Sequence, residues 1–435
     1  MTSMADSMES GNVAAKEKSL RAHKGGKIEL IGKVVINSAE DLSTYYTPGV
    51  AYVSLEVKRD SSLSYEYTSR GNTIAIVSDG SRVLGLGNIG PEAGIPVMEG
   101  KALLFKKYGG VDAIPLTINA HTTDEIVAFV KALEPSVGGI NLEDISTPKN
   151  FEAFDRLKAE LKIPVFHDDR QGLSVVALAA LRNAMLVTGR KLNSAKIVVN
   201  GAGAAGIGIT ELLVAAGARD VVICDSNGII YEGRDVGMND RKVALSQQTN
   251  RKMLKGTLQD AVKGADALIG ASIKGAFNKE MIKSMTKDPI VFALANPEPE
   301  ISYKDAKDAG AAVVATGISG FPNQVNNLLA FPAIFRGVLD VRAKVINTEM
   351  LLAASASLAG SVGRAKLSKD HIVPDFCEEN AIAVTAKVAA SIAKSAIKTG
   401  VASADVDMKE LSKSIRKRLK RYARIEKLVS KLAST

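Results

Sequence analysis

Apolar residues along this chain follow two rhythms, short unbroken runs and positions recurring every third or fourth residue, and their alternation predicts an α/β protein. Thr73-Ile-Ala-Ile-Val77 reads as a strand, and Gly100 to Tyr108 and Asp124 to Leu133 read as helices. Gln171 to Thr188 forms one apolar helix ended by Gly189. A second region opens with Lys196-Ile-Val-Val-Asn200, a short buried strand, followed by a glycine turn and a helix running to Ala216 with Gly217 beyond it. Strand-like runs at Asp220 to Asp225, Ala267 to Gly270, Ile290 to Leu294 and Ala311 to Ala315 continue the alternation, as in a doubly wound parallel sheet. Near the C-terminus, Leu411, Ile415, Leu419, Tyr422, Ile425 and Val429 mark an amphipathic helix with a basic outer face.

At 435 residues and 46% hydrophobic content the chain can fill more than one core, and about two domains are expected. The net charge of +9 would suggest an anionic partner if it were spread over the surface. It is not: residues 409 to 431 hold ten Lys or Arg and two Glu, so this one helix carries eight of the nine net charges. A helix docked on the body or on a subunit partner, with solvated lysines, is the simpler reading, and nucleic-acid binding is not expected. Cys224 and Cys377 are too few for a disulfide framework, and no paired Cys or His spacing suggests zinc. Met1 to Ser10 contains no apolar signal core, and Val175 to Val187 is interrupted by Arg182-Asn183 and too short to cross a bilayer. A cytoplasmic protein without a membrane span is expected.

Two acidic pairs, Glu143-Asp144 and Asp168-Asp169, stand twenty-five residues apart just ahead of a glycine fingerprint, Gly201-Ala-Gly-Ala-Ala-Gly206. Carboxylates from two separate segments can make an open Mg²⁺ or Mn²⁺ site, because hard divalent ions take oxygen ligands. The fingerprint follows a strand, opens a helix and precedes Asp225, an acid ending the next strand, which is the full context for dinucleotide binding. Gly201, Gly203 and Gly206 let the backbone approach a pyrophosphate, and Asp225 is placed to bond the ribose hydroxyls. An acid there repels a 2′-phosphate, so NAD is favoured over NADP unless Arg234 and Lys242, which lie downstream, fold toward the phosphate and compensate.

Several segments together resemble the malic enzymes, in particular their short bacterial and archaeal form. They are Asp41-Leu-Ser-Thr-Tyr-Tyr-Thr-Pro-Gly-Val50, Ser78 to Pro91, Met98-Glu-Gly-Lys-Ala-Leu-Leu-Phe105, Asn141-Leu-Glu-Asp-Ile145, Phe166-His-Asp-Asp-Arg-Gln-Gly172, Ala295 to Glu300, and Phe321 to Asn327. The resemblance covers most of residues 20 to 400. It implies that Glu143, Asp144 and Asp169 bind the divalent metal, that Asp168 supports them, that Lys101 is the general base, and that Tyr46 is the acid protonating carbon after decarboxylation. Asn296 and Asn327 resemble the amides that orient substrate and nicotinamide, and Arg82 stands where long-form members place an arginine gripping a substrate carboxylate. His167 reads as a packing neighbour of the acids rather than a ligand. Thr316-Gly-Ile-Ser-Gly320 departs at Ile318 and Gly320 from the Thr-Gly-Arg-Ser-Asp pattern of short forms.

The implied activity is oxidative decarboxylation of L-malate to pyruvate and CO₂ with reduction of NAD or NADP, by a homodimer or larger homo-oligomer. Two alternatives are a malolactic conversion with retained NAD and a catalytically silent dinucleotide-binding protein with a basic contact tail. The expected organisation is a flexible arm over 1–19, an N-terminal α/β catalytic and substrate domain over 20–170, a Rossmann-type dinucleotide-binding domain over 171–400, and the basic helix over 401–435.

Overall fold

The structure, a computed structural model, describes residues 13–432 except 84, 376–380 and 405, so Cys377 and the first twelve residues of the expected arm lie outside it. From residue 13 the chain forms helix α1 (Val13–His23), α2 (Ala39–Tyr45) and α3 (Gly49–Arg59), and neither α2 nor α3 buries a residue. Strand β1 (Thr73–Ser78) is buried at every position, as a continuous apolar run in a covered parallel sheet must be. Helix α4 (Gly90–Gly109) returns over it to β2 (Asp112–Thr117). This helix begins a full ten residues before the expected Gly100, because Pro91 lies in its first turn, where no N–H is needed, and Pro96 is accommodated inside it.

Strands β3 (Ile140–Leu142) and β4 (Val165–His167) complete a parallel four-stranded sheet in the order β2-β1-β3-β4. Three of its strands escaped the apolar pattern: β3 and β4 have three residues each, and β2 carries Pro115, which an edge strand tolerates.

Helix α5 (Leu173–Val187) leads into the second sheet. It comprises β5 (Lys196–Asn200), β6 (Asp220–Asp225), β7 (Gly228–Ile229), β8 (Ala267–Gly270), β9 (Ile290–Ala293) and β10 (Val313–Thr316), in the order β10-β9-β8-β5-β6-β7. All pairs are parallel except β6 with β7. β5 has β6 on one side and β8 on the other, so the chain reverses its direction of winding there, and helix α6 (Ala204–Ala215) starts from the glycine turn at that crevice.

One apolar core joins the two sheets. Ile74 and Ile76 of β1 belong to the same buried cluster as α5 and as Ile197 and Val199 of β5. Helix α7 (Phe331–Asp340) wedges between them, with Phe105 of α4 4.5 Å from Phe331 and Phe166 of β4 5.7 Å from Phe335, ring centre to ring centre. After α8 (Ala381–Lys398), the last helix, α9 (Met408–Leu432), joins this core through Leu411, Ile415 and Leu419. Its docked face is the apolar stripe expected from the sequence as far as Leu419, whereas Val429 is 51% exposed. Among the described residues no helix is long and apolar enough to cross a membrane.

Candidate active site

The two acidic pairs meet because β3 and β4 are neighbours in register. Leu142 pairs with His167, so Glu143-Asp144 and Asp168-Asp169 leave adjacent strand ends together, although twenty-five residues separate them. Asp144 takes a left-handed backbone at φ +52°, a conformation Asp adopts more readily than most residues, and its N–H donates to Asp169 Oδ2 at 3.1 Å. Carboxylate oxygens of Glu143, Asp144 and Asp169 all lie within 4.8 Å of one another. Three converging carboxylates from two loops are a donor set that suits a hard divalent ion.

Lys101 projects from the middle of α4 into these acids and is buried. Its ammonium pairs with Glu143 Oε1 and donates to Asp168 Oδ2, 4.9 Å from the centre of the Phe331 ring. Burial alone would lower its pKa, but Asp168, Glu143 and Asp169 outweigh burial and hold it above the ordinary lysine value. The acids respond in the opposite sense. Burial pushes Asp168 up to about 7, against the pull of Lys101 and with a push from Glu143. Glu143 and Asp169 are also raised, first by burial and further by neighbouring carboxylates, so each is costly to ionise without a cation beside it.

Asp168 is held from three sides. Asn327 Nδ2 donates to the oxygen that Lys101 holds, and a Cβ on Gly172 would come within 1.8 Å of the other oxygen, so only glycine fits beneath it. That other oxygen, Oδ1, is buried with no partner among the described residues, as is Nε2 of His167. His167 stands outside the ligand group. Its Nδ1 accepts from the Arg170 N–H at 3.2 Å, and burial, then Arg170 and Lys101, lower its pKa to about 3, which keeps it neutral.

The dinucleotide fingerprint is held against this turn. Arg170 makes a bidentate pair with Glu211 of α6, at 3.0 and 2.8 Å, and a Cβ on Gly208 would meet the Arg170 carbonyl at 2.4 Å. Within the fingerprint, a Cβ on Gly206 would lie 1.8 Å from the Gly201 carbonyl, so a side chain there would force the turn apart. A Cβ on Gly203 would meet nothing within 4 Å, and the space beside it is the approach a pyrophosphate requires.

Residues 25–125 match the family described as malic enzyme, N-terminal domain, and residues 170–397 match malic enzyme, NAD binding domain. The bifunctional malic/malolactic enzyme of Bacillus subtilis is 51% identical over 93% of this chain and 98% of its own length. The NAD-dependent malic enzyme of Geobacillus stearothermophilus is 47% identical over 90% of this chain and 81% of its own. The crystal structure of malic enzyme from Pyrococcus horikoshii superposes with a TM-score of 0.91 at 44% identity, covering 96% of this chain and 98% of that one.

The chain belongs to the malic enzyme family.

The remaining residues that the family resemblance singled out are not all brought to Lys101. Arg82 is exposed beside the acids: its backbone N–H donates to the Asp144 carbonyl at 3.0 Å, and its charge opposes, in small part, the burial that raises Asp169. Its loop is pinned to theirs by Ser81, whose hydroxyl accepts from the Ser146 N–H at 2.8 Å. Asn296 is exposed just beyond β9, where a Cβ on Gly317 would touch its amide at 3.0 Å. Tyr46 follows α2 and is 65% exposed, and no hydrogen bond, ion pair or ring contact joins it to the Lys101 cluster among the described residues.

In this malic enzyme two further residues support the site. Asn141 of β3 donates to Oε2 of Glu143, just past the strand end, at 2.9 Å, an i to i+2 contact that the Asn-Leu-Glu-Asp spacing could have disclosed. Glu300 is fully buried and accepts from the Ala295 N–H at 3.0 Å and from the N–H and hydroxyl of Ser272 at 2.8 and 3.0 Å, joining the loops after β8 and β9. Nothing in the sequence around Glu300 signals that burial.

Proposed function

We propose that this malic enzyme oxidises and decarboxylates L-malate to pyruvate and CO₂ at the Lys101 cluster, with NAD or NADP as oxidant and Mg²⁺ or Mn²⁺ held by Glu143, Asp144 and Asp169. The observation that carries the reading is a buried lysine clamped by Glu143 and Asp168 beside a three-carboxylate donor set, with a dinucleotide turn braced against it through Arg170 and Glu211. When bound, the ion supplies Lewis-acid stabilisation of the developing oxygen charge and the nicotinamide supplies a hydride acceptor.

The chain's own groups divide the proton work. Lys101, once neutral, takes the C2 hydroxyl proton. Burial favours its neutral form and the three carboxylates oppose it, so any neutralisation of Glu143 and Asp169 releases Lys101 toward the base form. Arg82 at the rim has the planar fork to grip a substrate carboxylate. Asn327 and Asn296 orient substrate and nicotinamide, and Tyr46 delivers the proton to C3. The metal acids belong to residues 20–170 and the dinucleotide turn to residues 171–400.

Tyr46 reaches such a site most simply from a second copy of the chain. The segment carrying it is apolar and uncovered, with Leu30 93%, Tyr52 72% and Val35 70% exposed. Large apolar side chains left exposed along one segment suit an association surface. A homodimer would cover it and supply a tyrosine to the neighbouring cluster. A cytoplasmic setting fits Cys224, which is buried and free.

The test is absorbance at the reduced-nicotinamide band with malate and Mn²⁺, run in parallel with NAD and NADP, with pyruvate and lactate quantified. Cofactor reduction matched by pyruvate is expected. Lactate formed without net reduction would replace this reading by the malolactic one, an activity named for the Bacillus subtilis relative.

A further inference from the structure

Asp225 ends β6, where an acid of a dinucleotide fold ordinarily accepts from the ribose hydroxyls. Here its acceptor positions are taken. Oδ1 accepts from the Asn227 N–H and from Arg234 Nη1, both at 2.9 Å. Oδ2 accepts from Arg234 Nη2 and from Lys242 Nζ, the latter at 2.7 Å. A carboxylate offers about four acceptor positions, and these donors fill them. The Asp225 side chain is only 7% exposed.

The two cations differ in freedom. Arg234 is locked, since its Nη1 also reaches the carbonyls of Gly228 and Ile229 at 3.4 and 3.3 Å and its Nε reaches the Met238 sulfur at 3.3 Å. Lys242 gives Nζ hydrogens to Asp225 and to the Gly237 carbonyl at 2.7 Å, and an ammonium has three donors, so one remains to be used. Within this cluster one carboxylate faces two cations, so Asp225 does not neutralise both.

We propose that Lys242, braced by Asp225 and Arg234, reads the 2′ position of the cofactor's adenosine ribose and selects a 2′-phosphate, so that this enzyme binds NADP and NADPH in preference to NAD and NADH. The inference rests on the dinucleotide site proposed above and settles which cofactor that site takes. A 2′-phosphate brings close to two negative charges and strong acceptor oxygens, matched by the remaining ammonium N–H of Lys242 and by the second cation on Asp225. A 2′-hydroxyl finds no open acceptor on Asp225 unless an enclosed ion pair is broken, which is costly for a buried pair. This reverses the preference expected from an acid at this position alone. The sequence puts Arg234 and Lys242 nine and seventeen residues downstream of Asp225, and only the fold brings them onto it.

Equilibrium binding, followed by reduced-nicotinamide fluorescence on the intact enzyme with Mn²⁺ and no malate, tests this without turnover. NADPH should bind at least about tenfold more tightly than NADH, the scale of one charge-assisted hydrogen bond. Adenosine 2′,5′-bisphosphate should displace it far better than 5′-AMP. Lys242→Gln should weaken NADPH by about tenfold or more and leave NADH within about threefold, while Lys242→Arg, which keeps the charge, retains the preference. A wild type that prefers NADH, or a Lys242→Gln variant with an unchanged ratio, overturns the proposal. Failure of both dinucleotides to bind would instead remove the dinucleotide site on which it rests.

Discussion

Asn327 and Lys101 share one oxygen of Asp168: the Asn327 amide donates to Oδ2 at 2.5 Å, and the Lys101 ammonium donates to the same atom. Lys101 comes from α4 and Asn327 from the segment that follows β10, so the proposed base is aimed by a residue of the dinucleotide-binding half. Asn327→Ala should remove one of the two donors that fix Asp168 against Lys101 and lower kcat/KM for malate by about 10- to 100-fold, the usual cost of removing a partner that orients a catalytic group. Steady-state kinetics with saturating cofactor measure it, and an unchanged kcat/KM would show that Asn327 does not aim the base.

Glu143, Asp168 and Asp169 are each raised in pKa, first by burial, so holding all three ionised inside the fold is costly with a single lysine among them. A divalent ion should therefore stabilise the fold, by about 2.7 kcal/mol at a hundredfold excess over its Kd. Thermal melts with and without Mn²⁺ should show a rise in Tm that Asp169→Asn abolishes. An equal rise in that variant would place the stabilising ion elsewhere.

Tyr46 exposed and Lys101 buried on one chain make a mixing experiment informative. Lys101→Ala and Tyr46→Phe should each be inactive in the full reaction. Refolded together, they should recover about a quarter of wild-type activity if two chains of a symmetric dimer build each site, because half the dimers are mixed and each holds one intact site. No recovery above the separate variants would assign Tyr46 to the site of its own chain. In the Tyr46→Phe variant alone, exchange of pyruvate C3 hydrogen with solvent should nearly vanish, which separates its proton from that of Lys101.

Part of the fold is legible in the sequence, and the reasons are local. β5 and β6 match their expected bounds residue for residue, because each is an apolar run closed by a turn. Glu143, Asp144 and Asp169, which their motifs marked, do come together in the fold. What stayed hidden depended on distant neighbours. β3 and β4 are too short to show a period, and α4 reaches back through Pro96, a residue that reads as a breaker. The solvation of Tyr46 belongs to packing that no short segment encodes; Arg234 and Lys242 are visible in the sequence as cations that could fold toward the cofactor, but their filling of the acceptor positions of Asp225 shows only in the fold.

Glu300 gives a pH-dependent test of how the loops beside the cofactor turn are held. It is fully buried, and no cation pairs with it among the described residues. Burial raises its pKa, and the hydrogen bonds from Ala295 and Ser272 offset this only in part. The folded protein thus holds the Glu300 proton more tightly than the unfolded chain does. Its contribution to stability is complete below the unfolded value, near 4.3, and drains away as pH rises through the folded value. Glu300→Gln keeps the shape and one set of acceptors but cannot ionise, so it should lose a roughly constant amount to the disrupted hydrogen bond and shed the pH-dependent penalty. Urea midpoints at about pH 5 and about pH 8 should therefore show the variant gaining on wild type as pH rises. Parallel pH dependence in the two proteins would mean that Glu300 ionises in the folded state as easily as in water, and that the loops after β8 and β9 are not held by a strained buried carboxylate.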